Sequence, residues 1–462
     1  MFPPFIEEKA LEKCRWLIAK LDDGEVELRQ LAPLSGERTG QGLMLAAMIA
    51  REGEGGQDLL FFACSGLSRQ LFVVNPRLEG LFQIAPPIVA PEAIAAALAK
   101  NDRAIHELTA RLQEGGEGAA LSAEKRQELR QRRRALTDES LAAVFSLYHF
   151  HCADGKVRSL REVCAAYARR TGRCADLLPP TGTGECAEQK LLDLAFFRGL
   201  TPLSMAEVFY CAPGSAYAER KGQRICPCDA RCGIVLPEML GLEILYRDDD
   251  IIVVNKQSGL LSVPGRGPDK QDCIVNRVRR LYPFCMEQPS VHRLDMETSG
   301  LMVFTFTPAA HRDLSRQFQA GEVSKEYVAL VDGVLARKGI ASSGMMELTF
   351  RLDVDNRPHQ IWDSIYGKKA VTEWKILQVQ DYHAPDGSRR PVTRVLFLPH
   401  TGRTHQLRLA AADPHGFGVP IIGDTLYGTC AAGERLMLHA SRLSFTHPVS
   451  GRKMDFSSPV PF

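Results

Sequence analysis

Short apolar runs at Leu43–Ile49, Leu59–Ala63 and Leu71–Val74, set apart by glycine-rich breaks and followed by Ala85-Pro86-Pro87-Ile88-Val89, predict a small α/β unit over residues 1–98. Residues 92–146 read as helix on both sides of a break at Gly115-Gly116-Glu117-Gly118, so 99–146 is expected to form a helical hairpin. Its second arm, Ser122 to Phe145, carries KRQELRQRRR among leucines and alanines. That charge run suits a solvated helix face, or else a basic arm lying on RNA. Residues 147–237 are rich in cysteine. From Leu240 the texture changes to short β-like blocks, Glu243–Leu245 and Ile251–Asn255 around Asp248-Asp249-Asp250, then Leu301–Phe306, Tyr327–Val331 and Val392–Leu398. A boundary near residue 238 therefore separates the last domain, 238–462, from what precedes it.

The chain has 462 residues, three times an ordinary domain length, with 45% hydrophobic and 24% charged positions. That excludes a mainly disordered or fibrous chain. Lys+Arg number 57 against 55 Asp+Glu, so no global field draws in a polyanion and any nucleic-acid binding must be local. No apolar run has the length of a membrane span, and MFPPFIEEKALEKCRW lacks the basic start and apolar core of a secretion signal. A cytoplasmic protein is expected, with its 13 cysteines reduced. Six of them, Cys164, Cys174, Cys186, Cys226, Cys228 and Cys232, crowd together, which suits metal binding or catalysis better than stapling.

Three segments of the last domain carry candidate chemistry. In VHRLDMETSGLMVF (291–304), Asp295 sits in a polar loop between apolar segments, two residues after Arg293. A neighbouring positive charge favours an ionised carboxylate, which suits a nucleophile or base, although a loop salt bridge would use the same residues. In SKEYVALVDG (324–333), Tyr327 begins an apolar strand. In PHTGRTHQLRLAA (399–411), Arg403, His405 and Arg408 follow a glycine turn, as a phosphate-contacting helix start or a solvated basic face would.

Taken together, and with IIVVNKQSGLLSVPGR (251–266), GDTLYG (423–428) and LHASRLSFTHP (438–448), these segments closely resemble the RluA-type pseudouridine synthases. SVPGR with HRLDMETSG is most similar to the branch that modifies tRNA anticodon stem-loops and a similar loop of large-subunit rRNA. The resemblance implies an α+β fold in which a mixed, mostly antiparallel sheet with flanking helices forms the C-terminal half, preceded here by an α/β region with a helical hairpin. It implies isomerisation of uridine in RNA without a cofactor. Asp295 would be nucleophile and base, Arg403 its ion-pair partner, and Tyr327 the ring packed on the uracil. Arg266, Arg277, Arg279 and Arg280 could contact phosphates, with Arg293 and Arg408 as further RNA-binding candidates. Solubility alone would also explain surface arginines. His292, Arg293 and Thr298 are expected to shape the loop rather than touch the reacting atoms.

GTGECAEQKLLDLAFFRG (182–199) and ICPCDARCGIVLPEML (225–240) form a second constellation. Cys186 precedes one apolar helical stretch, and Cys228-x-x-x-Cys232 opens another. Three thiolates could hold zinc with one position open, and Glu188 could act as acid and base on its water. The order is similar to that of the cytidine deaminase superfamily, except that three residues rather than two separate the second pair. Three readings stay open: a structural or vestigial zinc fold, cysteines without metal, and an active deaminase. At the level of function the competing readings are a bifunctional enzyme and an RNA-binding scaffold with an idle synthase domain. No S4-type module is apparent, so the basic helix Lys125–Arg134 is a candidate for RNA docking.

Overall fold

The computed structural model describes residues 7–30, 42–53, 55–66, 69–113, 122–171, 178–212, 214–267 and 270–462. Cys174 and the break at 115–118 lie outside them. The chain divides into two compact units, one of Met1–Gly241 with Arg280–Pro283, the other of Leu242–Arg279 with Phe284–Phe462.

In the first unit the order is α1 (Glu7–Asp22), β1 (Val26–Gln30), β2 (Leu43–Glu52), β3 (Asp58–Cys64), β4 (Arg69–Val73), β5 (Gln83–Ile84), α2 (Pro91–Gln113), α3 (Ala123–Phe145), β6 (His149–His151), β7 (Val157–Ser159), α4 (Leu160–Thr171), α5 (Ala187–Phe197), β8 (Leu200–Tyr210) and α6 (Cys232–Met239). A four-stranded sheet runs β5-β3-β2-β8. Its centre, β2, is LMLAAMIARE, an almost unbroken apolar run, because α1 and α5 both pack against it. Trp16 of α1 stacks on Phe62 of β3, and Phe82 meets both rings edge-on. β2 pairs with β8 from Leu43↔Tyr210 to Glu52↔Leu200. Residues on either side of the helical hairpin thus share one sheet. The stretches 1–98 and 147–237, separate in the sequence reading, form one unit because the strand that completes the sheet comes late in the chain.

The hairpin itself is α2 against α3. Ser122 caps α3 by accepting from Lys125 N, Asn101 Nδ2 donates to the Leu136 carbonyl, and Lys100 pairs with Glu139 at 2.9 Å. On α3, Lys125 pairs with Glu128 and Arg134 with Asp138, all solvent-exposed, as a solvated helix face requires.

The second unit contains β9 (Glu243–Arg247), β10 (Ile251–Lys256), α7 (Ile274–Leu281), β11 (Ser299–Thr305), α8 (Pro308–Ala320), β12 (Ser324–Val331), β13 (Ser343–Leu352), β14 (Gln360–Trp362), β15 (Lys368–His383), β16 (Arg389–Pro399), α9 (Gln406–Ala412), β17 (Leu438–Thr446) and β18 (Lys453–Ser457), with the end of α7 counted in the first unit. The fold is α+β. One mixed sheet runs β14-β13-β15-β16-β12-β17-β11-β10-β9, with β18 on β17. Its pairings are antiparallel except β11 with β17, which meet in parallel only at Ser299↔His439 and Gly300↔Ala440. Gly300 has φ +121°, and a Cβ there would collide with the Ala440 backbone, so glycine is required at this join. Helix α8 has its limits written in sequence: Thr307 accepts from Ala310 N, Pro308 takes the first turn, and Gly321 ends it at φ 72°. Among the described residues no helix is long and apolar enough to cross a membrane.

Candidate active site

The loop before β11 carries Asp295, and its neighbours are fixed through their backbones. Ser262 brackets Leu294, its hydroxyl donating to the carbonyl at 2.6 Å and accepting from the amide at 3.1 Å. Ser258 Oγ donates to Glu297 O, and Thr298 N donates to Asp295 O. Lys256, buried at the end of β10, donates from Nζ to the carbonyls of Gln257, Leu260 and Met296 at 3.0, 2.7 and 2.8 Å. Burial brings its pKa down to about 7, against the pull of Asp295, while three carbonyl acceptors call for the three N–H donors of the ammonium form. His292 is a loop-shaping residue: its Nε2 accepts from Val303 N, its ring stacks on Phe318 at 4.6 Å, and burial lowers its pKa to about 3. None of these backbone ties involves the Asp295 carboxylate, which is left facing a cavity.

That cavity, about 160 Å³, is lined by Asp295, Tyr327, Lys325, Arg403, His405 and Arg408, among others. Tyr327, in the first half of β12, lies opposite Phe397 of β16, with its ring half-buried against the core. Burial raises its pKa, and the Asp295 charge raises it further, so the phenol stays protonated.

The arginines separate by burial. Arg403 does not form the expected pair with Asp295: it is exposed at the rim, and its Nε donates to the Lys369 carbonyl at 3.0 Å. The residue within ion-pair reach of Asp295 is His405, Nε2 to Oδ2 4.0 Å. Arg408 and Lys256 supply the cationic charge felt there. Arg408 is not placed for phosphate contact, since it is 3% exposed and bonded through Nε to Asp424 at 2.9 Å, with Glu297 at 3.3 Å. Arg277 is likewise buried, in a two-point pair with Asp272 at 2.8 Å on each arm. Arg280, also buried, meets Glu7 at 3.1 Å and bonds Glu188 within the first unit. Arg266, Arg279 and Arg293 are exposed. The last two also line a second cavity of about 540 Å³, together with Asn276 and Gln288.

Sequence reading assigned no role to Lys256, Lys325, Asp424 or Tyr427, and noted His405 only in passing. All of them lie within the quoted motifs, and motif membership was the only signal available.

In the first unit, Cys186 precedes α5 and Cys232 opens α6. The Cys232 thiol lies within hydrogen-bonding reach of both Cys186 and Cys228, contacts that, with burial, raise its pKa. Cys228 is exposed, and hydrogen bonds from the Cys232 thiol and from the backbone at Cys232 and Arg231 pull it down to about 5. Glu188 is 1% exposed; one oxygen is held by Arg280 and the other, Oε2, has no hydrogen-bond partner. Burial raises its pKa, and that of Glu207 beside it. The donors suit zinc in kind. The three sulfurs are not drawn within a common 4.8 Å; among the described residues the trio that is comprises Asp248, Asp250 and His447. There, His447 already bonds Asp248 at 2.7 Å, and Asp248 caps the amides of Asp250 and Ile251.

Residues 250–413 match the family model for RNA pseudouridylate synthase. The chain is 42% identical over 229 residues to the dual-specificity RNA pseudouridine synthase RluA of Escherichia coli K12, covering 49% of this chain and 96% of that protein. It is 43% identical over 222 residues to the RluA of Yersinia pestis, covering 47% and 99%. Among solved structures, human RNA pseudouridylate synthase domain containing 1 aligns at 29% identity and a TM-score of 0.37, covering 48% of this chain and 84% of that one.

Proposed function

The chain belongs to the RluA-type family of RNA pseudouridine synthases, and from that premise we propose that residues 242–462 isomerise uridines in structured RNA, with tRNA anticodon stem-loops and large-subunit rRNA as substrates and Asp295 as nucleophile. The observation that supports this most directly is the shared cavity of Asp295 and Tyr327. In the reaction the C1′–N1 bond breaks, the uracil turns over, a C1′–C5 bond forms, the C5 hydrogen leaves as a proton and N1 takes up a proton. Atoms and oxidation state are conserved between uridine and pseudouridine, so the reaction draws on no cofactor. A base must leave its stack to reach such a cavity, and a tyrosine ring offers a stacking platform worth roughly 1–3 kcal/mol. Exposed Arg266, Arg279 and Arg293 are the phosphate-contacting residues of this proposal, which takes the cytoplasm as the site of action.

Tritium release from 5-tritiated uridine in unmodified tRNA and rRNA transcripts tests the reaction class, because bond formation at C5 must expel that hydrogen. Release from either RNA identifies the substrate pool; silence from both overturns the proposal. Tyr327→Ala should slow release by roughly 10- to 100-fold through lost stacking, whereas Tyr327→Phe keeps the ring and should stay within about threefold. A Phe variant as slow as the Ala variant would shift the role of Tyr327 from ring to hydroxyl.

For the first unit we propose a zinc bound by Cys186, Cys228 and Cys232, with the unpartnered oxygen of Glu188 as the supporting observation. Bound zinc would hold the starts of α5 and α6 together. Freshly purified protein should contain about one zinc per chain, lost in Cys228→Ser and Cys232→Ser. Protein that neither retains zinc nor takes it up on titration overturns the site. A zinc-loaded protein that also releases ammonia from cytidine would establish the bifunctional alternative.

A further inference from the structure

One side chain in the synthase cavity has no part in the roles assigned above. His405 stands at the start of α9 with φ 53° and ψ 20°, a left-handed backbone that is uncommon and strained for a residue bearing a Cβ. Its surroundings hold it there. Gln406 accepts from Thr401 Oγ1 at 2.8 Å and Arg403 N at 3.0 Å, and donates to Val371 O and Thr372 Oγ1. The imidazole is thereby buried between Tyr427 and Asp295.

Hydrogen bonding and charge together favour one placement of the ring proton. Tyr427 Oη accepts from the Gln360 amide at 2.8 Å and lies 2.6 Å from His405 Nδ1. With that bond made, the arrangement that suits the Asp295 side has the phenolic proton donated to Nδ1. This leaves Nδ1 without hydrogen and puts the ring proton on Nε2, which faces Asp295 Oδ2 at 4.0 Å. The opposite tautomer would set a bare nitrogen lone pair against a carboxylate. Tyr427 is itself anchored, its amide donating to Asp424 Oδ1 at 3.0 Å. The charged groups around the ring are Asp295, Arg408, Asp424 and Arg293. Burial lowers the imidazole pKa against the pull of Asp295, which favours the neutral ring.

We propose that His405 is a positioning residue for the synthase reaction: a neutral imidazole, locked by Tyr427, that points its Nε2–H at Oδ2 and so directs the attacking oxygen of Asp295. The 4.0 Å separation closes to a hydrogen bond when substrate fills the cavity, as sites without ligand commonly tighten on binding. The inference rests on the reading of Asp295 as nucleophile.

The test compares tritium release and RNA binding by wild type, His405→Asn, His405→Gln and Tyr427→Phe, with thermal melting as the fold control. Asparagine tolerates the left-handed backbone but is too short to reach Asp295, so kcat should fall at least 30-fold with KM and RNA affinity nearly unchanged. The glutamine amide places an N–H near the Nε2 position and should recover the rate to within about fivefold of wild type. Tyr427→Phe keeps the ring packing, frees the tautomer and should lower kcat about 10-fold. A folded His405→Asn protein within threefold of wild type, or a folded glutamine variant as slow as the asparagine one, overturns the proposal. Should His405→Asn fail to fold, Tyr427→Phe decides it in the same way. A silent wild type would instead overturn the synthase reading itself.

Discussion

Asp295→Asn protein should melt like wild type, bind RNA with a Kd within about twofold, and lose tritium release by more than about three orders of magnitude. The amide matches the carboxylate in shape but offers no anionic oxygen to form a covalent intermediate. The fold is indifferent to the change because the loop is pinned by its neighbours: Ser262 holds Leu294, Lys256 holds Met296 and Ser258 holds Glu297. The measurement pairs single-turnover tritium release with filter binding on the same RNA. A variant that kept a tenth of the rate would move the nucleophile elsewhere.

Arg408→Ala has the largest expected effect on stability. It leaves Asp424, 0% exposed, as a buried carboxylate stripped of its bonded cation, with Glu297 losing a neighbour as well. Removing one partner of such a pair costs about 3–5 kcal/mol. For a unit of this size that corresponds to a fall in Tm of about 10 °C. Replacing both members, as Arg408→Met with Asp424→Leu, should recover much of the loss, because the penalty lies in the uncompensated charge. The recovered protein should still be slow, since Asp424 also receives the amides of Leu426 and Tyr427. Differential scanning calorimetry of the three variants separates these effects; equal melting of wild type and Arg408→Ala would show the pair to be dispensable.

The strands that carry the site were legible because each is an apolar run bounded by turn residues, as at Leu301–Phe306 and Tyr327–Val331. Helix α8 was not singled out beforehand, although Thr307, Pro308 and Gly321 carry its start and stop signals. The arginines were not legible from their chemistry alone. On α7, Ile274, Val278 and Leu281 mark the buried face, and Arg277 lies on it at i+3 and i−4 spacing, neutralised by Asp272, while Arg279 points outward. Helical periodicity would have separated these two; residue type could not. The Arg403–Asp295 pair failed for another reason: the left-handed turn at His405 decides which side chain of TGRTHQLR faces Asp295, and nothing in the order of letters reports a sign of φ. The partnership of β2 with β8 was invisible because sequence patterns carry no information about which distant strand pairs with which.

The parallel join of β11 to β17 has a consequence for how accurately the enzyme is built. Asp295 is attached through β11 to one half of the sheet, and Tyr327 belongs to the other. Between the halves the strand ladder has two rungs, Ser299↔His439 and Gly300↔Ala440. In the ladder that runs from Thr372 to His383 against β16, an error in spacing is shared over many rungs. At the join it is passed undiminished to the gap between carboxylate and ring. The manufacturing tolerance of the site is therefore set at a glycine that touches no substrate, and a single methyl group at position 300 would act as a shim driven between nucleophile and platform.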